Sequence, residues 1–133
     1  MKRVAGVLIP VVVVLVLAAA LAGLATAESK GGAKPMTVTG EILDLGCYLG
    51  HGAFGEKHRE CAVKCASTGM PIGVLGKGGV VYLLTLSHDD AAPFNQCKEW
   101  AGTQVTVTGP MMQKGGMKAI EVTAARQAAP AAK

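Results

Sequence analysis

Five segments between residues 36 and 124 have the composition and spacing of β-strands. The last two alternate apolar and polar residues with period two, and the first contains Gly40, which predicts a bulge or a sharp bend. Lys77-Gly78-Gly79 separates the second segment from the third and predicts a hairpin turn. The five predicted strands lie at residues 36–45, 71–76, 80–87, 103–111 and 117–124. Five short strands in so small a domain favour a closed or partly closed barrel.

Two other segments have the pattern of short helices. EKHRECAVKCAST, residues 56–68, ends at Gly69, and a second helix is expected from about Pro93 to Gly102. The predicted order is therefore strand, helix, strand, strand, helix, strand, strand. The sequence predicts a mainly β domain with two short helices, one of which is inserted after the first strand.

The bent first segment and the ending GTQVTVTGP…GGMKAIEVTAA resemble small exported bacterial OB-fold-like domains. The resemblance covers roughly residues 36–125 and implies a five-stranded OB-like barrel in the cell envelope. The intervening CYLGHGAFGEKHRECAVKCASTGMPIGVL is similar to an insert of secreted proteins of this type, with the pattern Cys-Tyr-Leu…His-x-x-Cys-Ala-x-x-Cys. The resemblance implies a fold and a compartment but no activity. The helix after strand 1 is a departure, because the main helix of an ordinary OB barrel lies between strands 3 and 4.

The N-terminus has the pattern of an export signal. Lys2 and Arg3 precede a long uncharged apolar run, and Ala25-Thr26-Ala27 is the small-x-small pattern that a signal peptidase reads. We expect cleavage between Ala27 and Glu28. The alternative is an uncleaved anchor, because residues 4–25 are long enough to span a bilayer.

The charge pattern places the rest of the chain outside the inner membrane, because Lys2 and Arg3 stay on the inner side. We therefore expect a periplasmic or secreted protein, anchored to the inner membrane if the leader is retained. The whole chain carries 13 basic and 9 acidic residues. With the two leader cations removed and few aromatics present, the remainder lacks the basic surface of a nucleic-acid-binding protein. The predicted parts are a leader at 1–27, a flexible tether at 28–35, the barrel domain at 36–126 and a disordered tail at 127–133.

Three of the four cysteines and two of the three histidines lie within residues 46–65. On a helix over 56–68, the spacing i, i+3, i+7 places His58, Cys61 and Cys65 on one face, which we expect to be buried. Cys47 follows the first strand, and Cys97 lies on the second helix. This arrangement suits a disulfide, a metal site or plain packing.

Two disulfides are the leading interpretation, because an even number of cysteines in a small exported domain is typical of cross-links. Cys61 and Cys65 are poor partners for each other, since Cβ atoms one helical turn apart are too distant for a bridge. Cys47 would then pair with one of them and Cys97 with the other. This predicts a non-enzymatic binding or accessory module of the cell envelope, without a cofactor, whose partner is an envelope protein or a small ligand.

A soft-metal site is the first alternative. Cys47, His58, Cys61 and Cys65 would form a Cys₃His set suited to zinc or copper(I), which predicts a periplasmic metal-binding or carrier protein. Further soft contacts are available from Met70, Met111, Met112, Met117 and Trp100.

A thiol oxidoreductase that uses Cys61 or Cys65 is the second alternative. Its usual spacing is Cys-x₂-Cys, whereas this chain has Cys-x₃-Cys. His88-Asp89-Asp90 could offer a base and carboxylates, but acidic residues before a helix are more simply interpreted as a cap. His51, in a glycine-rich stretch, is interpreted as a solvated loop histidine.

Overall fold

The computed structural model describes residues 34–129. The predicted leader, its cleavage between Ala27 and Glu28, and most of the predicted tether lie outside the described residues. Within residues 34–129, none of the helices has the length and apolar character needed to cross a membrane.

The described part of the chain is mainly β, as the sequence predicts. The strands are β1 (Pro35–Asp44), β2 (Ile72–Leu75), β3 (Val81–Leu86), β4 (Gln104–Lys114), β5 (Met117–Val122) and β6 (Ala124–Gln127). The helices are α1 (Leu45–His51), α2 (Arg59–Ser67) and α3 (Ala92–Glu99), and single 3₁₀ turns lie at Glu56–His58 and Lys77–Gly79.

Five strands close into a barrel. β1 pairs with β2, β2 with β3, β5 with β4 and β4 with β1, all antiparallel. β3 and β5 run parallel to each other and complete the ring. β6 lies outside the ring and pairs with residues 105–108 of β4. The predicted five-stranded barrel is confirmed at this level, and β6 is an addition that the sequence pattern did not predict.

β1 serves two neighbours, and the change between them falls beside Gly40. Its first part pairs with β4 up to Glu41, and its last part pairs with β2 from Glu41 onward. A Cβ atom at Gly40 would collide with the carbonyl oxygen of Leu75. Glycine is therefore required here because two backbones approach too closely for any side chain.

The barrel interior is filled by aliphatic side chains from all five strands. Burial of each such side chain contributes about 1.5–3 kcal/mol. The strand residues of this core are Val38, Ile42, Ile72, Val74, Leu84, Val105, Val107, Ile120 and Val122.

Residues 34–129 contain three α-helices, so the prediction of two in this part of the chain is wrong. α1 occupies residues that sequence reasoning divided between a strand end and a glycine-rich loop. Two glycines lower its intrinsic helix propensity, but both ends are capped. Asp44 accepts hydrogen bonds at the N-terminus, and Gly52, at φ 64°, ends the helix in the left-handed conformation.

α2 and α3 pack together beside the barrel. Ala62 and Ala66 of α2 and Cys97 of α3 are buried in the same core cluster. Gly102, at φ 76°, follows α3, and a Cβ atom there would lie 2.7 Å from the Cα of Arg59. The first residue of α2 is therefore held directly against the backbone that leads into β4.

Candidate metal centre

The candidate site lies where the end of β1 meets α1 and α2. Asp44 is the last residue of β1, and Cys47 lies in the first turn of α1. His58 immediately precedes α2, whose successive turns carry Cys61 and Cys65. The site thus draws on β1, on α1, which follows β1 directly, and on α2, which a loop separates from α1 and which packs on β1.

The loop between α1 and α2 is tied to the barrel. The backbone N–H of Gly55 donates to Oε1 of Glu41 at 2.5 Å, and the rings of Tyr48 and Phe54 meet edge to face at 6.2 Å. These contacts fix the path of the chain between Cys47 and His58, so the position of α1 relative to α2 is also constrained.

The structure brings three of the predicted ligands into one group. The Sγ atoms of Cys47, Cys61 and Cys65 all lie within 4.8 Å of one another, and Cys61 and Cys65 are 4.0 Å apart. Cys47 and Cys65 are half-buried, whereas Cys61 is exposed. The expectation that both helix cysteines are buried is therefore wrong, because the alanines of α2, not its cysteines, face the barrel.

His58, the fourth predicted ligand, lies in an adjoining group. Ligand atoms of Asp44, Cys47 and His58 lie within 4.8 Å of one another, so Cys47 belongs to both groups. Nε2 of His58 is buried and has no hydrogen-bond partner among the described residues. A buried polar atom without a partner costs about 1–3 kcal/mol, and a bound cation would remove that cost.

Asp44 is a site residue that sequence reasoning missed. Its side chain is 1 % exposed, and its Oδ1 accepts hydrogen bonds from the backbone N–H groups of Gly46 at 2.9 Å and Cys47 at 3.4 Å. Oδ2 is buried and has no well-aligned donor within residues 34–129. The sequence did offer one signal. Asp44 lies three residues before Cys47, which is where an N-cap residue stands if Cys47 lies in the first turn of a helix.

The carboxylate and the thiols shift one another's protonation. Burial opposes the charge of Asp44, but hydrogen bonds from Cys47 and Gly46 outweigh it and lower the pKa of this carboxyl. Hydrogen bonding to Asp44, followed by desolvation, raises the pKa of Cys47 to about 12. Desolvation, followed by hydrogen bonding with Cys61 and Asp44, raises the pKa of Cys65. In the metal-free protein these two thiols therefore keep their protons at neutral pH, and an ion must displace them.

The predicted disulfides are not formed. All four cysteines, which lie within the described residues, are free thiols. Cys97 is fully buried in the core beside Ala62 and Ala101, and it is not a member of the thiol group. It lies on the core-facing side of α3, and the expected pairing with a cysteine of α2 is not formed. Desolvation raises the pKa of Cys97 to about 12.

The remaining candidate residues lie outside the group or at its edge. His51 is the exposed last residue of α1, and His88 and Asp89 are exposed before α3. Asp90 accepts a hydrogen bond from the Ala92 N–H at 2.9 Å, but the N-cap residue of α3 is Ala91, which makes no side-chain cap hydrogen bond, so the predicted cap by His88-Asp89-Asp90 is not at the N-cap position. Met70 packs against Gly46 at the edge of the site. Met111 and Met112 lie on β4, Met117 lies on β5, and Trp100 packs on the core after α3.

No protein-family model, curated protein or solved structure matches the chain. The chemistry of the site is therefore defined by its own donor atoms. These are three sulfurs, one imidazole and one carboxylate, the ligand types that proteins use for zinc and copper.

Proposed function

We propose that this protein is an exported, OB-like binding module of the cell envelope whose site binds a zinc or copper ion. Cys47, Cys61 and Cys65 supply thiolate ligands, and His58 supplies a nitrogen ligand. The observation that carries the proposal is the convergence of three thiols within 4.8 Å of one another, next to a buried imidazole nitrogen that has no partner in residues 34–129. A disulfide between any two of these cysteines would leave at most one free thiol in the group.

The OB-like assignment is supported by the closure of five strands in the order β1-β2-β3-β5-β4, with β1 returning to β4. Export is supported by the leader pattern of residues 1–27. A carrier role is supported by the exposure of Cys61. A metal-binding group of another molecule can reach an ion that is bound by an accessible thiolate. A purely structural zinc site would have all four ligands enclosed.

A thiol oxidoreductase is the weaker proposal. A reactive cysteine has a lowered pKa, whereas the pKa of Cys65, one of the two candidate nucleophiles, is raised by desolvation and its neighbours. The same proton-retaining environment is compatible with a metal site, since a cation with two positive charges displaces thiol protons on binding.

The test is metal stoichiometry of the fully reduced full chain, by elemental analysis after separate exposure to Zn²⁺ and Cu⁺. We expect one ion per chain. Cys47→Ser should abolish stoichiometric binding, because Cys47 is common to both ligand groups. The control is Ser67→Ala on the exposed face of α2, which should bind as the wild type does. Wild-type protein that is folded and reduced but binds neither ion would refute the proposal.

A further inference from the structure

Asp44 brings a hard oxygen and a buried negative charge next to the sulfur ligands. It is 1 % exposed and shares a ligand group with Cys47 and His58. Because Cys47 also belongs to the trithiol group, an ion held by Cys47 has the carboxylate as its neighbour. Arg59 and Glu56, which flank His58 in sequence, form an ion pair with each other. This ion pair does not include Asp44.

The charge of the site favours a divalent ion. Ligation removes the protons of Cys47, Cys61 and Cys65, so three thiolates and one carboxylate share a partly enclosed space. A monovalent cation would leave most of this charge uncompensated, and uncompensated buried charge is costly. A divalent cation offsets twice as much.

Two buried polar atoms of the site also favour a bound divalent ion. Nε2 of His58 and Oδ2 of Asp44 are both buried and both lack a partner among the described residues. A metal-bound imidazole almost always donates its other ring N–H to a carboxylate, a backbone carbonyl or water, and such a partner fixes its orientation. Ligand atoms of His58 and Asp44 lie within 4.8 Å of each other, so a His58 ring that binds an ion through one nitrogen has this carboxylate near enough to accept from the other N–H.

Taken together, these features distinguish between the two ions of the proposed function, on which this inference rests. We propose that Asp44 and His58 form a carboxylate–histidine pair that selects a divalent, borderline-soft cation of the Zn²⁺ type over copper(I). His58 is the nitrogen ligand, and Asp44 is the positioning residue. Copper(I) is satisfied by soft thiolates and gains less from an oriented imidazole.

The test compares the affinities of the reduced full chain for Zn²⁺ and for Cu⁺, each measured by competition with a chromophoric chelator. The key variant is Asp44→Asn. Asparagine caps a helix about as well as aspartate does, so α1 should keep its start while the negative charge is lost. We expect the Zn²⁺ affinity to fall 10- to 100-fold, with the Cu⁺ affinity unchanged. Asp89→Asn, which changes an exposed carboxylate, is the matched control and should alter neither affinity.

Two further variants show whether Asp44 acts through His58. We expect His58→Ala to weaken Zn²⁺ binding at least as much as Asp44→Asn does, and the double variant to lose no more than His58→Ala alone. With Co²⁺ as a spectroscopic probe, both single variants should change the ligand-field bands, whereas thiolate charge-transfer bands persist. A merely structural role of Asp44 would not change the bands of a Co²⁺-loaded, folded protein.

Several outcomes would overturn this inference. Equal loss of Zn²⁺ and Cu⁺ affinity in Asp44→Asn would show a general structural role. If that variant does not fold, His58→Ala decides, because it leaves the cap of α1 intact, and equal losses for both ions again contradict the proposal. Wild-type protein that binds neither ion contradicts the proposed function itself, whereas wild-type protein that binds both ions with no effect of Asp44→Asn contradicts the inference alone.

Discussion

The carboxylate of Asp44 accepts a hydrogen bond from the backbone N–H of Cys47 at 3.4 Å, so one buried side chain both starts α1 and lies beside the first thiol of the site. The ligand and the helix that carries it therefore depend on the same residue. Stability and metal binding can be separated experimentally, because substitutions of Asp44 can remove the cap, the charge or both.

Loss of the cap should destabilise the metal-free protein. We expect Asp44→Ala to lower the free energy of unfolding by about 1 kcal/mol, the usual cost of removing an N-cap. Urea denaturation of the reduced protein in the presence of a chelator measures this. Asp89→Ala, at an exposed position before α3, should leave the midpoint unchanged. An unaltered midpoint in Asp44→Ala would mean that α1 does not need its cap.

The contact between Gly102 and Arg59 should be more sensitive than an ordinary turn glycine. Gly102→Ala adds a Cβ atom 2.7 Å from the Cα of Arg59 and also strains a backbone at φ 76°. We expect the free energy of unfolding to fall by more than about 2 kcal/mol. Metal binding should also weaken, since α2 must shift.

Gly116→Ala is the matched control for Gly102→Ala. Gly116 has φ 80°, but a Cβ atom there would meet no atom of the described residues within 4 Å. Only the backbone strain remains, which costs about 1–2 kcal/mol, and metal binding should be retained. Equal losses of stability in the two variants would show that the contact with Arg59 is unimportant.

The buried thiol of Cys97 should make stability depend on alkaline pH. Desolvation raises its pKa to about 12 in the folded protein, from 9.0 for a free thiol. Above pH 9 the unfolded chain releases this proton while the folded protein retains it, so the contribution to stability is complete below pH 9 and is lost as the pH rises towards 12. The stability advantage of the wild type over Cys97→Ala should therefore narrow by up to about 1.4 kcal/mol per pH unit in this window.

Urea denaturation at several pH values between 8 and about 11 tests the prediction for Cys97. Taking the difference between wild type and Cys97→Ala cancels the contributions of the other thiols. A constant difference across this range would show that the thiol is not desolvated in the folded state. In the same protein, Cys97 should react with an alkylating reagent far more slowly than the exposed Cys61 does.

Processing of the N-terminus should release a chain that begins at Glu28. Mass spectrometry of the protein recovered from an exporting bacterial host gives the N-terminus directly. Ala27→Phe should block cleavage, because a signal peptidase requires a small residue at this position. A wild-type chain that keeps its first residues in the membrane fraction would establish the anchored form instead.

Much of the barrel could be predicted from local pattern. The strands 36–45 and 103–111 were predicted within a few residues of β1 and β4, the first from its β-branched and aliphatic composition and the second from alternation with period two. The turn at Lys77–Gly79 and the helix that carries Cys61 and Cys65 followed from glycine positions and helical spacing. These features depend on residues that are close to one another in the sequence, so they can be predicted without the tertiary structure.

What the sequence did not decide depends on packing between distant segments. α1 has poor intrinsic propensity and exists because Asp44 and Gly52 cap it where β1 ends, while β6 exists because β4 offers it an edge. The orientation of α3 places Cys97 in the core, so it is not part of the thiol group and the expected disulfide between Cys97 and a cysteine of α2 is not formed. The sequence by itself determined which residues could bind a soft metal. The tertiary structure decided that Cys47, Cys61 and Cys65 converge and that Asp44 joins them, because only the packing of α2 against β1 sets distances across those intervals.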